Sequence, residues 1–167
     1  MTRKRIYVAS PLGFAASTRA FMDELIPALS SLVDVENPWD DTRFVDEFAE
    51  IETLDSFAER QTRLQRINTE LGRSNAERID RSDAVFAILD GVDVDSGTAA
   101  EIGYGFASGK VVCGLRTDFR LAGDNIGATV NLQVQHFIEA SGGAVVTTIE
   151  GLVGLARDLA TGRLQRA

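Results

Sequence analysis

Between Leu89 and Gly103 the chain reads LDGVDVDSGTAAEIG, and four carboxylates fall within this stretch: Asp90, Asp93, Asp95 and Glu101. The apolar run Ala84 to Leu89 precedes it. Ser96-Gly97-Thr98 then leads into a segment rich in helix formers. The pattern predicts a loop leaving a buried strand, then a helix from about Thr98 to Ser108 with Glu101 in its first turn. The positive end of a helix favours an ionised carboxylate there. Asp95, in the preceding loop, is placed to face the same cavity. Two such groups suit glycosyl transfer, in which one carboxylate attacks the anomeric carbon and the other assists the leaving group. Paired carboxyls about 5–5.5 Å apart go with retention of configuration. A plainer reading uses the same residues. Thr98-x-x-Glu101 fits a capping box, and Asp95 and Ser96 are ordinary N-cap types, so pattern alone leaves both readings open.

The elements that must position these groups follow from hydrophobic periodicity. Ile6 to Ala9 is a first buried strand, ended by Ser10-Pro11. Ser17 is placed to cap a helix carrying Phe21, Leu25, Ala28 and Leu32. Val33 to Val35 is a second strand, stopped by Asn37-Pro38. From Asp46 to Leu71, Phe48, Ile51, Leu54, Phe57, Leu64 and Ile67 recur at helical intervals. One long helix or two broken ones are predicted there, ending at Gly72, with a short helix following through Asn75 and Ile79. Ala84 to Leu89 shows no alternation, so both its faces are expected to be buried, as in a parallel sheet. Val111 to Leu115 is the next strand, followed by a polar loop from Thr117 to about Thr129. A helix over Val130 to Ala140, a short Val145-Val146 strand and a last helix from near Thr148 complete the chain.

The alternation of strand and helix predicts an α/β fold: an open, doubly wound, five-stranded parallel sheet in three α/β/α layers, flavodoxin-like or Rossmann-like. Residues 1–167 are expected to form one domain. Such sheets bind ligands beyond the carboxyl ends of their strands. Three loops with chemistry in them leave those ends: Ser10 to Phe14, Asp90 to Glu101, and Thr117 to Asn131.

Composition narrows the function classes. A formal net charge of −8 disfavours a general nucleic-acid binder. The basic N-terminal residues lead straight into a strand, with no signal region and no membrane span, so a cytoplasmic protein is expected. Cys113 lies in an apolar run and is expected to be a buried, inert thiol. The single His136 excludes a metal site built from several histidines and argues against a Ser–His–Asp arrangement. Neither GxGxxG nor GxxxxGK[ST] occurs, so the usual dinucleotide and phosphate-loop fingerprints are missing. Arg116 and Arg120 are surface charges or phosphate contacts, and Asp83 is structural.

Several segments together carry a resemblance. IYVASPLGF (Ile6–Phe14), NPW (Asn37–Trp39), SDAVFAILDGVDVDSGTAAEIGYGFASGK (Ser82–Lys110), RTDFR (Arg116–Arg120) and VNLQV (Val130–Val134) stand in the order found in nucleoside 2-deoxyribosyltransferases. The chain resembles that family over nearly its whole length, and DG…D-S-G-T-x-x-E-x-G-Y is the specific piece. The resemblance implies that Glu101 is the nucleophile forming a deoxyribosyl ester. Asp95 contacts the base and helps its protonation, and Tyr7 hydrogen-bonds and positions the nucleophile. Asn131 is expected to reach a neighbouring subunit's site, in a dimer, tetramer or hexamer. Phe14 and Trp39 look like pocket-lining aromatics beside Gly13, with Gly91 and Gly97 giving the loop its close turns. Read without the resemblance, Tyr7 and Trp39 are core or packing residues and Asn131 is a helix cap. One departure stands out. Many members carry a base-contacting aspartate twenty residues before the equivalent of Asp95, where this chain has Asn75. An amide donates as well as accepts, but it is no acid.

The implied reaction exchanges bases on 2′-deoxynucleosides, with free nucleobases as acceptors and no metal or organic cofactor, and serves nucleoside salvage. Two rival functions fit the same residues. One is a 2′-deoxynucleoside or 5′-monophosphate N-glycosidase of the same superfamily. The other is a non-catalytic nucleoside or nucleotide sensor on the same fold.

Overall fold

Strand β3 (Ala84–Ile88, sequence AVFAI) is buried along its whole length, as an uninterrupted apolar run in a central parallel strand must be. The computed structural model describes residues 2–167. It places β3 between β1 (Arg5–Ala9) and β4 (Val111–Leu115), with β2 (Asp34–Glu36) outside β1 and β5 (Val145–Val146) outside β4. All four pairings are parallel and the order is β2-β1-β3-β4-β5. This is the doubly wound arrangement expected, in its flavodoxin-like order, with the switch point between β1 and β3.

Period-two alternation sorts the strand residues between two helical layers. Ile6, Val8, Phe86, Ile88, Cys113 and Leu115 pack with Leu25 and Leu29 of α1 (Ala16–Ser30) and with Leu152 and Ala156 of α6 (Ile149–Ala160). Tyr7, Ala9, Val85, Ala87 and Val112 face the other way. They meet Ile79 of α3 (Phe57–Asp80), Ile102 of α4 (Ser96–Ala107), and Val134 and Ile138 of α5 (Leu132–Ala140). Tyr7 therefore lies on the face that α4 covers. Gly105 lets that helix come close, because a Cβ there would fall 2.6 Å from Val85 Cγ2. Cys113 is buried as expected, and burial pushes its thiol up to about 12. None of the described helices is long and apolar enough to cross a membrane.

Two helix boundaries before β3 differ from the sequence reading, at the start of α1 and at Gly72. Helix α1 begins at Ala16, before Ser17; Ala15 stands at the N-cap without a side-chain bond, and Thr18 Oγ1 donates to Ala15 O at 2.9 Å. Of the two alternatives for the long charged segment the structure has the broken one, α2 (Val45–Glu52) and α3, separated where Ser56 accepts from Glu59 N at 3.3 Å. Gly72 does not end α3, which continues to Asp80 in place of a separate short helix. A helical glycine costs only about 1 kcal/mol relative to alanine, too little to stop a helix anchored by buried Ile67 and Ile79 on either side.

Arg116 is neither a surface charge nor a free phosphate contact. It is 1% exposed, and its guanidinium donates to Leu89 O at 2.6 Å, Gly91 O at 3.2 Å and Arg120 O at 2.7 Å. Asp90 returns the tie, accepting from Thr117 N at 2.6 Å, Asp118 N at 2.8 Å and Thr117 Oγ1 at 2.6 Å. Together they fasten the loop leaving β3 to the loop leaving β4. Arg120 pairs with Asp118 at the surface. Asp83 is structural as expected, accepting from Lys4 Nζ at 2.7 Å and Arg5 N at 2.8 Å. Arg116→Met should leave three carbonyls unpaired and lower unfolding stability by about 3 kcal/mol in urea titration. A loss below about 1 kcal/mol would mean that water or the loop itself satisfies them.

Candidate active site

The β1 residue facing α4 and the α4 residue facing β1 are joined directly. Tyr7 Oη donates to Glu101 Oε1 at 2.5 Å, and Asn75 Nδ2 of α3 donates to the same oxygen at 3.3 Å. Three residues distant in sequence thus converge from three elements. Asn75 and Glu101 line a cavity of about 630 Å³ at the carboxyl ends of the strands, with Tyr7 buried behind that wall. Ser10 and Phe14 line it from the loop after β1, and Trp39, Asp41, Phe44 and Phe48 from the segment after β2. Asn68, Leu71 and Asn75 contribute from α3, and Asp95, Gly97 and Glu101 from the start of α4. The lining includes three carboxylates, Asp41, Asp95 and Glu101, and neither lysine nor arginine.

Helix α4 starts one residue after Asp95, whose Oδ2 accepts from Thr98 N at 3.0 Å and Thr98 Oγ1 at 3.3 Å. Asp95 is thus the N-cap, and the Thr98–Glu101 capping box does not form. Glu101 consequently lies in the second turn rather than the first. The expectation that the helix end would favour its ionised form gives way to a stronger effect. Burial pushes the Glu101 carboxyl above its ordinary value, and the nearby Asp95 charge adds to this. The bonds from Tyr7 and Asn75 act in the opposite direction. Tyr7 is fully buried; burial first, and the Glu101 charge second, push its hydroxyl so far up that it remains a proton donor at any working pH.

The aromatic rim is built around Trp39. Its Nε1 donates to Ser10 O at 2.8 Å, and the Phe14 ring stands edge-on to it, 4.6 Å away at 83°. Gly13 does not line the cavity but makes room for this wall, since a Cβ there would lie 1.9 Å from Trp39 Cδ2. Gly91 has a φ of 135°, as a close turn requires. Gly97 does not: it is helical and has no left-handed φ. A Cβ on it would stand 3.1 Å from Asp95 Oδ2, so its contribution is room beside that carboxylate.

Asn131 caps α5, its Oδ1 accepting from Gln133 N at 3.0 Å and Val134 N at 3.4 Å. It is not among the lining residues, and the loop from Thr117 to Asn131 contributes none. Apart from Asn75, sequence reasoning missed the α2 and α3 contributions. Asn68, Leu71 and Asn75 are three and four residues apart, a helical face that an uninterrupted α3 would have disclosed. Also missed was Arg78, which donates to Asn37 O at 3.0 Å and Asp41 Oδ2 at 3.2 Å. It shares Asp41 with Arg43. The hydrogen bonds from Arg43, with the Arg78 charge in support, hold the Asp41 carboxyl down at about 2.

The family model for nucleoside 2-deoxyribosyltransferases matches residues 6–137. The chain belongs to this family. Solved structures of family-like fold include a 2-deoxyribosyltransferase from Bacillus psychrosaccharolyticus, 22% identical, covering 98% of both chains with a TM-score of 0.63. One from Leishmania mexicana is 23% identical, covering 92% of this chain and 97% of its own, with a TM-score of 0.60. A CMP N-glycosidase from Clostridium botulinum is 18% identical over 90% of this chain and 96% of its own, with a TM-score of 0.51. No curated protein matches the sequence. At these identities the structural likenesses establish the fold of this family member, and the family match stands on the sequence itself.

A carboxyl raised on folding contributes most below its unfolded value, and that contribution is lost as pH rises through the raised folded value. At neutral pH Glu101 is therefore a cost to the fold. Glu101→Gln, which keeps an acceptor for Tyr7 and Asn75, should raise Tm at pH 7 to 8. The gain should shrink as pH falls below the carboxylate range. Calorimetry across pH checks this, and a Tm lowered at every pH would contradict the burial argument.

Proposed function

We propose that this family member transfers 2-deoxyribose between nucleobases by a retaining double displacement through a deoxyribosyl-Glu101 ester, in nucleoside salvage. The observation that carries the reading is the Tyr7–Glu101 hydrogen bond at the wall of a cavity that offers carboxylates and aromatic rings. Phe14 and Trp39 supply faces for a base to rest on, with a carboxylate pair below.

In the first half-reaction a carboxylate oxygen of Glu101 forms a bond to the anomeric carbon while the bond to the base breaks. The electron pair goes to the base nitrogen. The proton that makes the leaving base neutral reaches it through Asp95, whose Oδ1 is not engaged by the Thr98 cap. Absence of a 2′-hydroxyl makes positive charge at the anomeric carbon easier to reach, which favours deoxyribosides. In the second half-reaction a nitrogen of an incoming base attacks the anomeric carbon, the bond from that carbon to the Glu101 oxygen breaks with its electron pair going to the carboxylate, and the base's proton returns to Asp95. Asn75 and Gly97 border the space a base would occupy, and no cofactor enters the cycle. A lining that holds three carboxylates and no cation suits a neutral nucleoside over a 5′-monophosphate.

Asn131, held at the start of α5, is proposed to serve the cavity of a second copy in a homo-oligomer. Phe119 and Ile126, 94% and 98% exposed on the preceding loop, give that side of the molecule apolar surface for a copy to cover.

Deoxyinosine with free adenine should yield deoxyadenosine with the unaltered protein. Glu101→Ala should abolish the exchange, lowering the rate by about a thousandfold or more. Chromatography of the nucleosides reads the result. Free hypoxanthine without a new nucleoside would establish a hydrolase instead. Turnover of deoxynucleoside 5′-monophosphates in preference to nucleosides would overturn the charge argument. No consumption of any donor would leave a binding protein.

A further inference from the structure

Both hydrogen bonds to Glu101 fall on one oxygen. Tyr7 Oη and Asn75 Nδ2 donate to Oε1, at 2.5 Å and 3.3 Å, and among the described residues nothing donates to Oε2. The two donors come from different layers of support. Tyr7 is fixed within the sheet, paired across to Glu36 and Val85. Asn75 is held by the long helix α3, with Ile79 buried one turn on. The orientation of the Asn75 amide follows from its partner, because the reverse orientation would set two oxygens against each other.

We propose that Asn75 is a positioning residue for the reaction assigned above, pinning Oε1 of Glu101 together with Tyr7 and leaving Oε2 as the oxygen that attacks the sugar. The inference rests on Glu101 being the nucleophile, and it gives this chain's amide a task that an ionised aspartate at the same place would oppose. An anionic side chain at position 75 accepts hydrogen bonds and repels a second carboxylate; an amide donates. The other charged groups near Glu101 do not replace that donor. Asp95, at the start of α4, adds negative charge. Arg78 of α3 is committed to Asn37 O and Asp41, and Asp41 is held between Arg78 and Arg43. Strand β3 offers only apolar side chains. On α5, Glu139 takes a hydrogen bond from Gln135, and His136 lies against Phe106 and Phe137. Tyr104 on α4 donates to Asp80. Tyr7 and Asn75 are thus the two neutral donors that keep the half-buried carboxylate ionised and aimed.

The test titrates Glu101 by carbon NMR in protein labelled at the glutamate side-chain carboxyl, with Glu101→Gln assigning the resonance. It compares wild type, Asn75→Ala and Asn75→Asp, with Tm confirming that each is folded. Both variants should titrate at higher pH than wild type, Asn75→Asp the more. In base exchange, kcat for Asn75→Ala should fall about tenfold, with the acid limb moved upward and KM for the donor little changed. Unmoved titration in both variants would overturn the proposal. So would an unmoved acid limb with KM changed selectively for one class of base, which is the mark of a base contact. The titration needs no turnover, so a protein that exchanges no bases would refute the function proposed above and still report on this hydrogen bond.

Discussion

A carboxylate taken partly out of water must find donors or lose its charge, and Glu101 is placed so that it depends on two. Much of the architecture serves that placement. Alternation along β1 turns Tyr7 toward α4 while Ile6 and Val8 anchor the strand on the opposite face. Gly105, one turn beyond Glu101, lets α4 lie against Val85. Asp95 starts α4 at a fixed residue through its bond to Thr98 N, which sets the height of Glu101 above the sheet edge. Arg116 and Asp90 hold the loops that lead to and flank that start. Remove any of these and the carboxylate moves relative to Tyr7.

The cavity wall shows a second economy. Trp39 is fixed by its bond to the Ser10 carbonyl and by the bare backbone of Gly13, so an aromatic face is held at the mouth with little side-chain freedom left to lose on binding. Asp41 faces the same space but is neutralised in effect by Arg78 and Arg43, and this pairing ties the segment after β2 to α3. The tie matters because α2 and α3 carry the apolar side of the cavity, packed on their own small core of Phe44, Ile51 and Ile67.

Strand and helix order, the buried character of β3, and the nearness of Asp95 to Glu101 were legible in the sequence, because each rests on local pattern or on a contiguous motif; Tyr7, distant in sequence, was tied to Glu101 only through the family resemblance. What was not legible depends on long-range geometry. Glu101 falls in the second turn because α4 starts at Ser96, two residues before the expected start, with Asp95, one of the N-cap types read in the sequence, taking the cap. The upward push of burial on the Glu101 carboxyl was not legible either, because burial is a property of the assembled layers. Gly72 read as a stop because composition weighs more in a sequence than the packing of Ile67 and Ile79. Reading α3 as broken there hid the face shared by Asn68, Leu71 and Asn75. Arg116 looked like a surface charge because a buried arginine satisfied by three carbonyls leaves no trace in local pattern.

A covalent sugar on Glu101 is detectable by rapid-quench mass spectrometry. The protein is mixed with deoxyinosine without an acceptor, quenched in acid within one turnover, and mapped by peptide. The peptide holding Glu101 should gain the mass of one deoxyribosyl group, a gain absent from Glu101→Gln and discharged when adenine is added before the quench. Base exchange proceeding with the protein unmodified, or the sugar found on Asp95 or Asp41 instead, would contradict a sugar ester at Glu101.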